Sequence, residues 1–150
     1  MYKKVMVPLD GSKLAECVFP HLQIMFRGCQ ELPEVVLVSA VEPISVPVGR
    51  EVSTFSSINQ VQEFEVHRKT EARKYLDEKV VYLKELGIGA RGEVIDGKAG
   101  NALTDYAKKN GIDLVVIATH GRSGIKQLVL GSVAEHILHS ATVPVLMIRP

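Results

Sequence analysis

A chain of 150 residues, 46% hydrophobic, carries enough apolar material for one compact domain with its own core. Its formal net charge of +1 gives no general attraction to nucleic acid or anionic lipid. No stretch approaches the roughly 20 apolar residues of a membrane helix, and two cysteines, Cys17 and Cys29, cannot make a disulfide framework, which fits a reducing cytoplasm.

Met1-Tyr2-Lys3-Lys4 leads directly into Val5-Met6-Val7-Pro8, so the N-terminus reads as a strand start and not as a signal peptide. Asp10-Gly11 closes that strand. Ser12 is placed to cap a helix in which Leu14, Ala15, Val18, Leu22, Met25 and Phe26 recur at helical spacing. Glu34-Val35-Val36-Leu37-Val38-Ser39-Ala40-Val41 is β-branched and nearly continuous, hence a strand covered on both faces. Over 42–59, Pro43, Pro47, Gly49, Ser53, Thr54, Ser56 and Ser57 break the pattern, predicting a long loop of the kind that serves as a lid or binding segment.

A long helix follows, with Val61, Phe64, Ala72, Leu76, Leu83 and Leu86 along one side and Gly87 as its stop. Residues 90–95 read as a third strand, 101–109 as a short helix and 113–118 as a fourth strand. Residues 128–138 form the core of a last helix, and Val143-Pro144-Val145-Leu146-Met147-Ile148 closes as a fifth strand. This alternation predicts one domain over 1–150, an α/β fold of Rossmann-like type. Its open five-stranded parallel sheet has helices on both faces and the fifth strand at an edge.

Ligands of such sheets lie at the carboxyl ends of the strands, where strand order reverses. Asp10 and Gly121 both follow strand ends and can share one crevice. Gly121, nine residues, then Gly131-Ser132 at the mouth of a helix is an order that can cradle phosphates. Backbone N–H groups of such a loop lack partners, the helix N-terminus adds partial positive charge, and glycine allows close approach. A nucleotide is the expected ligand.

Two other glycine motifs are decoys. Gly87-Ile88-Gly89-Ala90-Arg91-Gly92 matches the dinucleotide fingerprint but follows a helix and precedes a strand, the reverse of what that mechanism needs. Gly92-Glu93-Val94-Ile95-Asp96-Gly97-Lys98 resembles a P-loop, but Ala99 replaces the magnesium-binding hydroxyl and its middle is a strand. His136 and His139, three apart, have no carboxylate or cysteine nearby to complete a metal site, so they read as surface residues.

The segment Asp113-Leu114-Val115-Val116-Ile117-Ala118-Thr119-His120-Gly121-Arg122-Ser123-Gly124, with Leu130-Gly131-Ser132-Val133-Ala134 and Val143-Pro144-Val145-Leu146, resembles the universal stress protein family. Val7-Pro8-Leu9-Asp10-Gly11-Ser12 resembles its first strand and turn. ATP-binding members carry a glycine, two residues, a glycine, nine residues, then glycine with Ser or Thr. Gly121 and Gly131-Ser132 match, and Ala118 stands at the first glycine.

The resemblance implies that Asp10 holds the ribose, with Pro8 beside it, and that Leu9, Ala40 and Val41 flank the adenine. It also implies that the run Ala118-Thr119-His120-Gly121-Arg122-Ser123-Gly124 wraps the phosphates. Gly131, Ser132 and Val133 then offer N–H groups and a hydroxyl, Arg122 pairs with a phosphate, and His120 positions and does not catalyse. The implied ligand is ATP, or ADP or AMP, with magnesium carried by the nucleotide. The expected role is a cytoplasmic stress-response switch with little or no hydrolysis, reading out to an unknown protein partner. A homodimer through the fifth strand is also implied. The alternatives are a partner-binding module without ATP, which the Ala118 departure favours, and a weak phosphohydrolase.

Overall fold

Five parallel strands form one sheet in the order β3-β2-β1-β4-β5. They are β1 (Lys4–Pro8), β2 (Glu34–Val41), β3 (Ala90–Asp96), β4 (Leu114–Ala118) and β5 (Val145–Ile148). The helices are α1 (Phe19–Phe26), α2 (Phe55–Glu85), α3 (Ala99–Lys109) and α4 (Ser132–Ser140). The computed structural model describes residues 2–44, 55–120 and 130–150.

Strand alternation sorts the apolar residues into two cores. Val5, Val7, Val35, Leu37, Leu114 and Val116 face α1 and the C-terminal half of α2, meeting Leu22, Leu76 and Leu83. Met6, Val36, Val38, Val115 and Ile117 face α3 and α4, meeting Leu103, Ala107, Ala134 and Ile137. The sheet is therefore covered on both faces, as the continuous apolar runs of β2 and β4 require.

Three elements differ from the sequence expectation. The first helix divides into a 3₁₀ turn (Ala15–Val18) and α1, because Pro20 lies in the first turn of α1 and has no N–H to extend an α-helical ladder backwards. Helix α2 starts at Phe55, inside the stretch expected to be loop; residues 45–54 lie outside the described residues. At 31 residues α2 spans about 46 Å, against about 26 Å for the eight residues of β2, so one end overruns the sheet. Leu76 and Leu83 are fully buried, whereas Phe64, expected on the core side, is 55% exposed. The last helix begins at Ser132, since Gly131 before it is extended.

Helix α2 ends as expected at Gly87, whose φ of 77° is the left-handed conformation glycine tolerates. Ile88 N–H donates to the Leu83 carbonyl and Gly87 N–H to that of Lys84, closing a Schellman turn. Gly92 does not open β3 but sits within it, where a Cβ would lie 2.9 Å from the Leu76 Cβ. Its missing side chain brings α2 close to the sheet.

The turn after β1 is strapped to α2 by Glu16. Its carboxylate pairs with Lys79 at 2.9 Å and Lys13 at 3.3 Å, and accepts from the Tyr75 hydroxyl at 3.2 Å. Burial pushes the Glu16 carboxyl up, but the hydrogen bonds and charges of Lys79 and Lys13 outweigh it and hold it below its ordinary value. A depressed carboxylate stabilises the fold above its ordinary unfolded value and loses that contribution as pH falls from there through its lowered folded value. Glu16→Gln is expected to cost about 1–2 kcal/mol at pH 7. Thermal melts should show the gap closing below about pH 4; a gap independent of pH would show that charge is not the cause.

The two sheet edges differ. Along β3, Arg73 donates to the Gly92 carbonyl at 2.8 Å, Arg91 pairs with Glu93, and Lys69 pairs with Asp96 at 2.7 Å. Such charges block pairing with another strand. On β5, Val145, Leu146 and Met147 are half-buried, and no ion pair guards this edge among the described residues.

Candidate functional site

β1 and β4 lie side by side, and the chain leaves them towards opposite edges of the sheet. Their carboxyl ends therefore part, which opens a crevice where strand order reverses. A cavity of about 300 Å³ lies there. Pro8, Leu9 and Asp10 line it from β1, Ala40 from β2, and Ile117, Ala118, Thr119 and His120 from β4. Ala99 and Leu103 of α3 and the segment Gly131-Ser132-Val133-Ala134 at the head of α4 complete it, with Ala15 from the first turn.

Local sequence holds Asp10 in this wall. Gly11 takes φ 83°, so the chain reverses immediately after Asp10. Asp10 Oδ1 accepts the Ser12 N–H at 2.9 Å, and Ser12 Oγ accepts the Ala15 N–H at 3.2 Å, the capping role its position suggested. The carboxylate is thereby oriented by its own turn.

On the β2 side, the last ladder bond to β1 runs from Leu9 N–H to the Val38 carbonyl. Peptide groups alternate along a parallel ladder, so Ala40, like Val38, turns its N–H and C=O towards β1. Pro8 ends that strand, so no strand stands opposite Ala40. Val41 faces the other way: its carbonyl accepts the Gly97 N–H of the β3 side, and its side chain is buried on the face of Val35 and Leu37. Ala40 lines the cavity and Val41 does not, because adjacent strand residues cannot share a face.

Thr119 joins three elements. Its N–H donates to the Ile148 carbonyl of β5 at 2.7 Å, and its carbonyl accepts the Gly131 N–H at 2.8 Å. Its hydroxyl lies 2.9 Å from His120 Nδ1. The Gly131 amide, expected to be free, is thus engaged within the protein. The N–H groups of the first turn of α4, those of Ser132, Val133 and Ala134, have no partner within the helix, and the N-cap Gly131 has no side chain to offer them.

Ala118 is 6% exposed, and its methyl belongs to the α1 and α2 core with Val116. No described non-glycine residue has positive φ, so the methyl at this position does not strain the backbone, and Ala118 takes its place in the cavity wall. Restoring the glycine, Ala118→Gly, should change nucleotide affinity by less than about threefold and cost about 1 kcal/mol of stability. A large gain in affinity by calorimetry would show that the methyl obstructs.

Of the residues expected at the site, Pro8, Leu9, Asp10, Ala40, Ala118, Thr119, His120, Gly131, Ser132 and Val133 come together around one cavity. Gly121, Arg122, Ser123 and Gly124 lie outside the described residues. Ala15, Ala99, Leu103, Ile117 and Ala134 line it without having been anticipated. Helix α3 starts at the carboxyl edge after β3, and Leu103 lies one turn beyond Ala99, so helical spacing was the available signal. His136 is half-buried over Gly100 of α3 and not a surface histidine.

Among known proteins, the chain matches the model of the universal stress protein family over residues 1–149. A universal stress protein A homolog of Coxiella burnetii is 32% identical over 147 residues, 98% of this chain and 96% of the relative. A universal stress protein of Methanocaldococcus jannaschii is 25% identical over 157 residues, 99% and 96% of the two chains.

In structure, UspA from Lactobacillus plantarum superposes with a TM-score of 0.81 at 19% identity, covering 99% of this chain and 98% of that one. A family protein of Arabidopsis thaliana with AMP bound gives 0.65 at 18% identity, covering 98% and 91%. A universal stress protein in complex with cAMP gives 0.68 at 23%, covering 98% and 97%. At these identities the structures speak for the fold. With the family match spanning nearly every residue, this chain belongs to the universal stress protein family.

Proposed function

We propose that the crevice binds an adenine nucleotide, with ATP, ADP or AMP as occupant and magnesium carried by the nucleotide. The protein then acts as a nucleotide-dependent regulator in the cytoplasm. The carrying observation is the order of groups across the sheet: a peptide at Ala40 beyond the end of β1, a turn-held carboxylate at Asp10, and the N-terminal head of α4. A base needs a donor beside an acceptor, a ribose needs an acceptor for its hydroxyls, and phosphates need N–H groups at a helix N-terminus. Apolar walls from Leu9, Ala40, Leu103 and Ile117 suit a base between them.

Family members bound to AMP and cAMP support the same reading. The unstrained backbone at Ala118 weighs against the module without nucleotide. Hydrolysis is little or none in this reading. Isothermal titration with Mg-ATP should give saturable binding tighter than millimolar; weaker binding removes the proposal.

The open β5 edge is proposed as the surface of a symmetric homodimer. Pro144 and Ile148 direct their carbonyls to β4, so Val145 and Met147 turn their peptide groups outward. Met147→Pro therefore removes an outward N–H while leaving the β4–β5 ladder intact. Light scattering at micromolar concentration should give a dimer for the wild type and a monomer for this variant. A wild-type monomer contradicts the assignment.

A further inference from the structure

We propose that Glu16 and Lys79 are positioning residues for nucleotide binding: through their ion pair, helix α2 sets where the Asp10 carboxylate stands in the crevice. The inference rests on the nucleotide reading and deepens it, since it names the element outside the crevice to which occupancy is coupled.

A chain of short bonds runs from Asp10 to α2. Asp10 Oδ1 accepts the Ser12 N–H at 2.9 Å, Ser12 Oγ accepts the Ala15 N–H at 3.2 Å, and Ala15 itself lines the cavity. The next residue, Glu16, meets Lys79 Nζ at 2.9 Å through Oε1, which also accepts the Tyr75 hydroxyl at 3.2 Å. The bonds within the turn fix its shape. The bond to a distant helix fixes its place.

The ion pair is suited to that task. The Glu16 and Lys79 side chains are 16% and 17% exposed, so solvent screens them less than a surface pair. Tyr75 stands one turn before Lys79 on α2, and the ammonium lies 5.3 Å from the centre of its ring. Lys79 thus has a seat of its own, and its charge-assisted bond to Glu16 is directional. The neighbouring tie, Phe19 against Tyr82 at 5.8 Å between ring centres, is apolar and tolerates sliding. Lys13, with a side chain 88% exposed, reaches the other Glu16 oxygen and adds little. Placement of the turn along α2 therefore falls to Glu16 and Lys79. By linkage, a nucleotide that needs Asp10 in this place strengthens the ion pair in return.

The test is calorimetric titration of Mg-ATP into the wild type and into variants of α2, with and without Asp10→Ala. Lys79 lies outside the described cavity lining, yet Lys79→Met should lower affinity about three- to tenfold. Lys79→Arg keeps the cation and should stay within about twofold of wild type. Lys69→Met breaks the pair with Asp96 of β3 on the same helix and should leave affinity unchanged. A lost ion pair leaves almost every molecule folded, so a loss of stability alone does not lower the measured affinity. In Asp10→Ala, which has no carboxylate to place, adding Lys79→Met should cost no further affinity. Wild-type affinity in Lys79→Met overturns the proposal. An equal loss in Lys69→Met also overturns it, since that marks a general loosening of α2. So does the same loss with and without Asp10→Ala, since the effect then bypasses Asp10. If the wild type itself does not bind Mg-ATP, the nucleotide reading fails, and the inference falls with it.

Discussion

Asp10→Asn lowers affinity for adenine nucleotides about ten- to a hundredfold and costs less stability than Asp10→Ala. One Asp10 oxygen accepts the Ser12 N–H, a bond that an asparagine carbonyl can also accept, so the turn survives the substitution. What is lost is the negative charge that strengthens hydrogen bonds donated by ribose hydroxyls. Hydrogen bonds to a charged group are worth roughly 1.5–3 kcal/mol, which sets the expected range. Asp10→Ala removes both the ribose contact and the turn bond, so it should lower affinity and melting temperature together. Calorimetry paired with thermal melts separates the two effects. Unchanged affinity in Asp10→Asn would leave Asp10 as a turn residue only.

Gly100→Ala destabilises the protein by about 1–3 kcal/mol, although alanine is the better helix former. Gly100 lies in the first turn of α3 and is buried against α4. A Cβ there would meet His136 at 2.6 Å from Cγ and 2.9 Å from Cβ. The second distance matters most, because a Cβ cannot rotate away and the α4 backbone must shift. Ala99 and the head of α4 both line the cavity, so the same wedge should also weaken nucleotide binding. Adding His136→Ala removes only the ring and should recover a minor part of the lost melting temperature, because the Cβ at 2.9 Å remains. A Gly100→Ala variant that melts higher than wild type would show that propensity wins and that the two helices have room.

Much of this was legible in the residues. β2 was placed to the residue because its β-branched run is bounded by Pro33 and Pro43, and the parallel architecture followed from strict alternation of strands and helices. Asp10 was legible because Asp-Gly after a short apolar run marks a turn at a strand end. Local pattern could not show which partner a peptide group meets. The engagement of the Gly131 amide by Thr119, and the opposed facing of Ala40 and Val41, depend on neighbours 12 to 56 residues away. Phe64 misled for a related reason, since helical periodicity reports a face but not whether the sheet extends beneath it. Pro20 carries a local signal for the division of the first helix, since it has no N–H to continue the ladder.

The central claim is that backbone donors around the crevice remain available to a nucleotide. It is tested most directly by amide chemical shifts during titration of ¹⁵N-labelled protein with Mg-ATP. The account predicts saturable shifts at Ala40, Ser132 and Val133, with the amide of Gly131 protected from hydrogen exchange before and after binding. Shifts confined to residues outside the crevice, or none at a ligand concentration in the millimolar range, would contradict it.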